Sequence, residues 1–267
     1  MTVLPSLAIV AGGGVLPALV AQKASARGTK VFIIHLDGSS DHFSGYDGIT
    51  ARPEQLGKIF TALRAQNIRD IVMIGRMSRP SLLSLRPDFE TLRVLPPIAW
   101  ALCFGGDDAL LKSVRRMIEG KGFSLHGVQE FVEEVMAPAG PFGVHRPQAR
   151  HLNDIQVGME AARRHGAADR GQAVVVWEGQ IVAREGRDGT DAMIRKHPMQ
   201  GAVLVKTSKP GQDMALDMPS IGPGTVDACM ASGYAGIAVE AGMTLVANRD
   251  ETIARADQGG IFLMGIS

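Results

Sequence analysis

The run LAIVAGGG at residues 7–14 indicates the fold of the first half of the chain. A short, continuous apolar run such as residues 7–11 predicts a fully buried parallel strand, and the three glycines after it predict a tight turn. A helix is expected at residues 16–27, with Pro17 in its first turn, where a missing backbone N–H is tolerated. The run KVFIIH at residues 30–35 predicts the second strand.

The next segments repeat the alternation of helix and strand. Residues 53–67 have apolar side chains at helical spacing, and DIVMIG at residues 70–75 predicts a third strand. This order of elements is typical of a doubly wound, Rossmann-like parallel sheet. Residues 81–122 are then expected to be mainly helical, with helices at 89–104 and 107–119.

A segment rich in proline and glycine, APAGPFGVHRP at residues 137–147, predicts a domain boundary. We therefore expect a Rossmann-like domain at 1–136 and a mixed α/β domain at 137–267. The second half is predicted to contain a hairpin with its turn at Glu178-Gly179. Its predicted helices cover 153–165, the apolar-periodic segment TVDACMASG at 225–233, and 250–257. Its predicted strands cover 173–177, 180–184, 202–206, 236–239, 244–247 and 261–264.

Composition limits the possible function classes. The 267 residues are 45% hydrophobic and 21% charged with a net charge of +1, so nothing indicates a nucleic-acid partner. The two cysteines provide neither a disulfide framework nor a CxxC metal site. The uncharged run at residues 3–22 contains glycines and lacks a preceding basic region, so neither a signal peptide nor a membrane span is expected. A cytoplasmic protein is predicted, with peripheral contact with the inner membrane left open.

The carboxyl ends of the first and third strands are candidate binding sites. Ligands of such sheets bind at these ends, and glycines let backbone N–H groups approach a phosphate. The dinucleotide pattern GxGxxG is absent, because Pro17 stands where the third glycine would be, so a plain tight turn is the alternative. The candidate substrate-binding residues of this half are Gly12, Gly13, Gly14, Ser78 and Arg79.

Two polar clusters in the second half each follow a predicted strand. The first is EGRDGTD at residues 185–191, and the second lies in KTSKPGQDMALDMPSIGPGTVD at residues 206–227. Because both follow strands, they could meet at one end of the sheet. The alternative is a solvated loop that proline and glycine shape into turns, in which Asp191 caps a helix and Asp188 pairs with Arg184 or Arg187.

This mixture of lysines and carboxylates suits an anionic substrate with a divalent cation. Carboxylates hold Mg²⁺ together with substrate phosphates, a lysine offsets charge on a phosphoryl oxygen, and a further carboxylate orients water. No GxSxG motif or Cys–His grouping indicates covalent hydrolysis. The catalytic candidates are Asp217, Asp213, Lys206 and Asp191; the metal candidates are Asp217, Asp188 and Glu185; the substrate-binding candidates are Thr190, Lys209, Gln212, Gly222 and Thr225.

Together, several motifs along nearly the whole chain resemble one family. They are IVAGGGVLP at residues 9–17, GRMSRP at 75–80, GDDALL at 106–111, EGRDGTDAM at 185–193, KTSKPGQD at 206–213 and DMPSIGPGTV at 217–226. The chain resembles the UDP-2,3-diacylglucosamine pyrophosphatases of lipid A biosynthesis, in the form unrelated to the metallophosphoesterase enzymes of the same step.

The resemblance implies an N-terminal Rossmann-like domain, a C-terminal domain peculiar to the family, and substrate held between them. It implies Mg²⁺-dependent hydrolysis of UDP-2,3-diacylglucosamine to UMP and 2,3-diacylglucosamine 1-phosphate, with Asp217 important for catalysis. The chain departs from the family pattern at Ala215, where an arginine is usual, and at Arg76, where a smaller polar residue is common. Lys206 or Lys209 is expected to supply the missing cation.

Two rival functions follow from the same residues. A nucleotide-sugar or lipid-binding regulatory protein could have the same fold without turnover, and Ala215 keeps that reading open. An NAD(P)-dependent oxidoreductase rests on the first βαβ unit alone, by fold-level analogy. A homodimer is expected from the frequency of symmetric dimers among soluble enzymes.

Overall fold

The chain divides into two compact units. The computed structural model describes residues 3–36, 43–75, 88, 90–91 and 107–267, with the backbone alone at 107–109. The first unit contains Met1–Glu133 together with Asp213–Asp217, and the second contains Glu134–Gln212 and Met218–Ser267. The sequence predicts 137–267 as one domain, whereas the short segment Asp213–Asp217 groups with the first unit, where Asp213 forms an ion pair with a helix described below.

The first unit is built on a parallel sheet, as the sequence predicts. In the described residues the strand order is β3-β2-β1-β4-β5, and each neighbouring pair is parallel. The strands are β1 (Ser6–Ala11), β2 (Lys30–Leu36), β3 (Asp47–Ala51), β4 (Asp70–Ile74) and β5 (Ser124–His126). β3 and β5 were not predicted, because DGITA is polar and mostly exposed and SLH is too short to show a pattern.

Helices connect these strands. α1 (Leu16–Ala26) follows β1, with Pro17 in its first turn as predicted, and α2 (Leu56–Ala65) is shorter than the predicted helix. α3 (Asp107–Gly120) precedes β5. The helix predicted at 89–104 lies outside the described residues, except that residues 90–91 are helical. Apolar side chains of α2, α3 and the strands form one buried cluster, which includes Ile59, Leu63, Ile118, Ile34 and Ile71.

The second unit has a mixed sheet, which also agrees with the sequence. In the described residues its order is β6-β13-β11-β9-β7-β8. β9, β11 and β13 are parallel, whereas β7 is antiparallel to β9 and forms a hairpin with β8 through Glu178-Gly179. Both turn residues have positive φ, at 48° and 75°, which is the backbone of a type I′ hairpin turn. The strands are β6 (Gly140–Pro141), β7 (Ala173–Trp177), β8 (Gln180–Arg184), β9 (Val203–Lys206), β11 (Gly236–Glu240) and β13 (Phe262–Ile266).

Helices cover both faces of this sheet, which explains its continuous apolar strands. α4 (Ala149–Ala167) packs through Ile155 and Met159 against Val174 and Val205. The other face carries α5 (Thr190–Lys196), α6 (Pro223–Ala231) and α7 (Arg249–Gln258). None of the described helices has the length and hydropathy that crossing a membrane requires.

A separate two-stranded sheet lies at the start of α6. β10 (Ser220–Ile221) pairs in parallel with β12 (Leu245–Val246). The sequence predicted β12 as residues 244–247 but not β10, because a two-residue strand within a proline- and glycine-rich segment has no periodic pattern. This pairing fixes the chain just before α6, where several candidate site residues lie.

Candidate active site

The 185–191 cluster and Lys206 of the second predicted cluster lie at one edge of the sheet of the second unit. Lys206 is the last residue of β9, and its register partner on β7 is Ala173. Arg184 ends β8 beside Val174, so Glu185 emerges at the same edge. Strand topology alone therefore brings the 185–191 cluster next to Lys206.

The Lys206 side chain is the buried cation of this edge, with 8% of its surface exposed. Its Nζ donates to Thr190 Oγ1 at 3.3 Å and to the carbonyl oxygen of Ser220 at 3.0 Å. Thr190 Oγ1 in turn donates to Glu185 Oε1 at 2.5 Å, and Glu185 Oε2 accepts the Gln172 N–H at 2.7 Å. A carboxylate, a hydroxyl and an ammonium group are thus connected in one hydrogen-bonded chain.

The amino end of α6 lies directly after the carbonyl group that Lys206 holds. Gly222 is the residue before the helix, Pro223 is its first residue and Thr225 lies in its first turn. β12 fixes this approach, since the Leu245 N–H donates to Pro219 O and the Ala247 N–H donates to Ile221 O, both at 2.8 Å. A helix N-terminus and a buried ammonium group both favour negative charge, so this corner of the unit suits a phosphate.

The loop after β9 is fastened to its own unit. The Ser208 N–H and hydroxyl both donate to Glu240 Oε2, at 2.8 and 2.5 Å. Burial opposes ionisation of Glu240, but these bonds and Arg163 outweigh it and lower the pKa of the Glu240 carboxyl. Lys209 Nζ pairs with Asp169 at 2.7 Å, and the Lys209 N–H donates to Gln212 Oε1 at 2.7 Å. Lys209 and Gln212, which the sequence predicts to bind substrate, thus also help to hold the shape of this loop.

The next residues, Asp213–Asp217, form a turn that belongs to the first unit. Arg115 of α3 binds the Asp213 carboxylate with two N–H groups, Nε to Oδ2 and Nη2 to Oδ1, the latter at 2.5 Å. The guanidinium group, more than any other interaction, lowers the pKa of the Asp213 carboxyl. Asp217 ends the turn, and its N–H donates to the Asp213 carbonyl oxygen at 2.8 Å.

The predicted metal ligands do not form a cluster within either unit. Among the described residues, no group of three His, Cys, Asp or Glu side chains is placed to hold a metal ion. Asp188 is 70% exposed and pairs with Lys196 at 2.6 Å rather than with Arg184 or Arg187, and both oxygens of Glu185 accept bonds from the protein. Asp191 is exposed in the first turn of α5, where it complements the helix dipole without a capping bond.

The glycines after β1 are partly explained by packing. The Gly12 N–H donates to Ile74 O at 2.8 Å, which joins the ends of β1 and β4. A side chain on Gly75 would come within 2.6 Å of the Gly12 carbonyl carbon. Gly13 is partly exposed and Gly14 is exposed, so they remain open to a ligand. Ser78 and Arg79 lie outside the described residues.

Sequence patterns missed Arg115 and Ser220. Arg115 lies on an amphipathic helix and has no local motif, and Ser220 contributes its backbone carbonyl, which any residue could supply. Their partners are 98 and 14 residues away along the chain. The departure at Ala215 was a usable signal, since it led to the expectation that another residue supplies a cation near this segment.

Cys229 is not a candidate nucleophile. It lies in the core between α6 and the sheet with no exposed surface. Burial raises the pKa of its thiol, with a smaller contribution from Asp191. A buried thiol held in its neutral form is inert, which agrees with the absence of a Cys–His grouping from the sequence.

Comparison with known proteins finds two family models that match successive parts of the chain. Residues 6–135 match the family model described as LpxI N-terminal domain, and residues 138–264 match the LpxI C-terminal domain. The chain belongs to the LpxI family. A curated LpxI of Caulobacter vibrioides, named UDP-2,3-diacylglucosamine pyrophosphatase, is 37% identical over 97% of both chains. The resemblance identified from the motifs of the sequence is thereby confirmed.

A comparison with solved structures found CobK precorrin-6A reductase. Its sequence is 8% identical to this chain, the match covers 99% of this chain and 89% of that one, and the TM-score is 0.33. A similarity at this level supports no conclusion about the fold or activity of an LpxI chain.

Proposed function

We propose that this chain hydrolyses UDP-2,3-diacylglucosamine to UMP and 2,3-diacylglucosamine 1-phosphate. The observation that carries the proposal is the match to the curated pyrophosphatase over 97% of both chains. In this reaction water adds to one phosphorus of the pyrophosphate, the bridging P–O bond breaks, and the second phosphate leaves. The protein has to bind several phosphate oxygens and remove a proton from water.

The side chain of Lys206 and the amino end of α6 supply the anion-binding part of that task. The ammonium group and the amino end of α6 present positive charge to phosphate oxygens at fixed positions. Such preorganised charge lowers the barrier most where water is excluded, and Lys206 is largely shielded from solvent. Thr190 orients the ammonium group and is itself oriented by Glu185.

Asp217 is proposed as the carboxylate that accepts the proton of the attacking water. It follows a hydrogen-bonded turn and precedes Met218-Pro219, so its backbone is constrained on both sides. A carboxylate aimed in this way can act as a general base, a role that typically contributes about 10²–10⁴-fold to rate.

Mg²⁺ is proposed as the cofactor. The ion usually keeps several waters and takes one or two protein carboxylates, its other ligands being substrate phosphates. Asp217 is proposed as a carboxylate ligand of the ion. Asp188, the other aspartate predicted as a ligand, is 70% exposed and pairs with Lys196. When bound, the ion would offset the negative charge of the pyrophosphate.

We also propose peripheral contact with a membrane and a homodimer. The substrate carries two acyl chains, which hold it in a lipid surface. Arginines 164, 170 and 184 line one cavity of about 390 Å³ on the second unit, beside His165 and beside Glu160, which pairs with Arg164. The remaining basic side chains favour anionic lipid surfaces. Sedimentation with anionic and neutral vesicles tests the first proposal, and light scattering of the purified chain tests the second.

The activity is tested with purified protein, UDP-2,3-diacylglucosamine and Mg²⁺. UMP should form in step with the sugar phosphate, stop when EDTA removes the metal, and return when Mg²⁺ is restored. Tight binding of the substrate without UMP would support the regulatory alternative instead. A thermal shift with NAD(P) and none with the nucleotide sugar would favour the oxidoreductase reading.

A further inference from the structure

The Asp213 carboxylate is held more firmly than an ordinary surface acid. Its side chain is only 9% exposed and both of its oxygens bind the guanidinium group of Arg115. A bidentate pair of this kind fixes orientation as well as charge, because the planar fork matches the carboxylate. Arg115 is itself held from the other side by Glu119, one helical turn later, at 2.8 Å.

Asp213 also organises the backbone of the turn that follows it. Its Oδ1 accepts the Ala215 N–H at 3.1 Å. Its carbonyl oxygen accepts the N–H groups of Leu216 and Asp217, at 3.0 and 2.8 Å. The position of the Asp217 backbone therefore depends on Asp213, and the position of Asp213 depends on Arg115.

Arg115 supplies positive charge to the segment in which Ala215 replaces an arginine. Ala215 leaves the segment without the arginine usual in the family, and Lys206 or Lys209 was expected to replace it. In the structure Lys209 pairs with Asp169, and Lys206 binds Thr190 and Ser220. Arg115, from α3, is a cation that contacts this segment through Asp213.

We propose that Arg115 is a positioning residue for the hydrolysis: through Asp213 it holds the turn that aims the Asp217 carboxylate. This inference rests on the proposed function and adds a residue to it. Arg115 does not need to contact the substrate, so its contribution should appear in the chemical step rather than in binding. A displacement of about 1 Å in a catalytic group can cost 10²-fold in rate.

The experiment compares Arg115→Ala, Arg115→Lys and Arg116→Ala for kcat, KM and Tm. Arg116 is the matched control, since it is the exposed next residue of α3. We expect kcat of Arg115→Ala to fall about 10- to 100-fold with KM within about threefold of wild type. Arg115→Lys should recover part of kcat, because one ammonium group cannot bind both carboxylate oxygens in the same geometry. Arg116→Ala should match wild type.

Three results would overturn the inference. The first is wild-type kcat and KM in Arg115→Ala, and the second is wild-type kcat in Arg115→Lys. The third is a raised KM with unchanged kcat in Arg115→Ala, which would make Arg115 a substrate ligand. If Arg115→Ala does not fold, Arg115→Lys still decides the question, because it keeps the charge and the stem. Absence of UMP from the wild type would instead contradict the proposed function.

Discussion

Lys206 Nζ donates to the Ser220 carbonyl oxygen at 3.0 Å, and this bond joins the end of β9 to the strand that leads into α6. It therefore ties the buried ammonium group to the same backbone that sets the amino end of the helix. Two sources of positive charge that are separate in sequence are fixed relative to one another. A phosphate bound at this corner would meet both without reorganisation of the protein.

Replacing Lys206 should remove most of the activity. Lys206→Met keeps the length of the stem and its apolar packing but loses the charge, so we expect kcat/KM to fall about 10²-fold or more. The measurement is UMP formation over a range of substrate concentrations, with Tm recorded for each protein.

Lys58→Met is the control for that variant. Lys58 also donates to a backbone carbonyl, Thr50 O at 2.7 Å, but it does so on the exposed surface of the first unit. Activity should be unchanged. If kcat/KM falls equally in the two variants, or falls in neither, the ammonium group at residue 206 is not used in the reaction.

The close approach of Gly75 to Gly12 should make Gly75 hard to replace. Gly75 has φ of +106°, and an added Cβ would lie 2.6 Å from the Gly12 carbonyl carbon. Gly14 has a similar φ of +110° with nothing within 4 Å of an added Cβ, so it reports the backbone strain alone. Gly14→Ala should cost about 1 kcal/mol in the free energy of unfolding, and Gly75→Ala should cost about 3 kcal/mol or more. Urea denaturation measures the free energy of unfolding of each variant. Equal losses in the two variants would mean that the clash between the new Cβ and Gly12 relaxes.

His126 should make the stability of the first unit depend on pH. Its ring nitrogens lie 2.9 Å from Glu130 Oε2 and 2.8 Å from Asp70 Oδ1. Burial disfavours the charged ring, but hydrogen bonds to Glu130 and then Asp70 outweigh it and raise the pKa of His126 above 6.5. A raised folded-state pKa stabilises the fold fully below the unfolded value, and this stabilisation is lost as pH rises through the folded value.

The measurement is the urea midpoint of wild type and His126→Gln between pH 6 and pH 9. The urea midpoint of the wild type should exceed that of the variant most at pH 6, and the difference between the two midpoints should shrink toward pH 9. Subtracting the variant cancels the titration of the other histidines. A difference that does not change with pH would show that His126 acts through packing alone.

The local sequence pattern was sufficient to predict most of the strands in both units and the hairpin turn in the second. The apolar runs that became β1, β2, β4, β7 and β9 are each followed by glycine or a polar residue, as expected of short buried strands, and Gly179 in the hairpin turn tolerates positive φ. The sequence predicts that the two polar clusters could meet, because strands that leave a sheet at one edge bring their loops together. In the second unit this topology places Glu185 and Thr190 beside Lys206.

Pairings between distant, short segments could not be predicted. β10 exists because β12 lies beside it, and Arg115 meets Asp213 because α3 lies beside that turn. Asp257 shows the same limit: its helix reads as a surface helix, yet Asp257 Oδ1 accepts the Val144 N–H at 2.8 Å, 113 residues away. Each such contact depends on tertiary packing and leaves no periodic trace in the sequence.

The last prediction concerns the Asp217 carboxylate. Asp217→Ala removes the side chain but keeps the backbone N–H that donates to the Asp213 carbonyl oxygen, so the turn should persist. Affinity for the nucleotide sugar should also persist, because the proposed phosphate contacts lie at Lys206 and α6. We expect kcat to fall about 10²-fold or more, as for other groups used in the transition state.

Calorimetric binding of UDP-2,3-diacylglucosamine and single-turnover release of UMP separate these two effects. The control is Asp250→Ala, since Asp250 is exposed at the start of α7, whereas Asp257 fastens Val144 and would disturb the fold. Asp250→Ala should turn over normally. Unfolding of Asp217→Ala would show that the carboxylate is structural, and wild-type kcat with intact binding would show that the proton of the attacking water goes to another group.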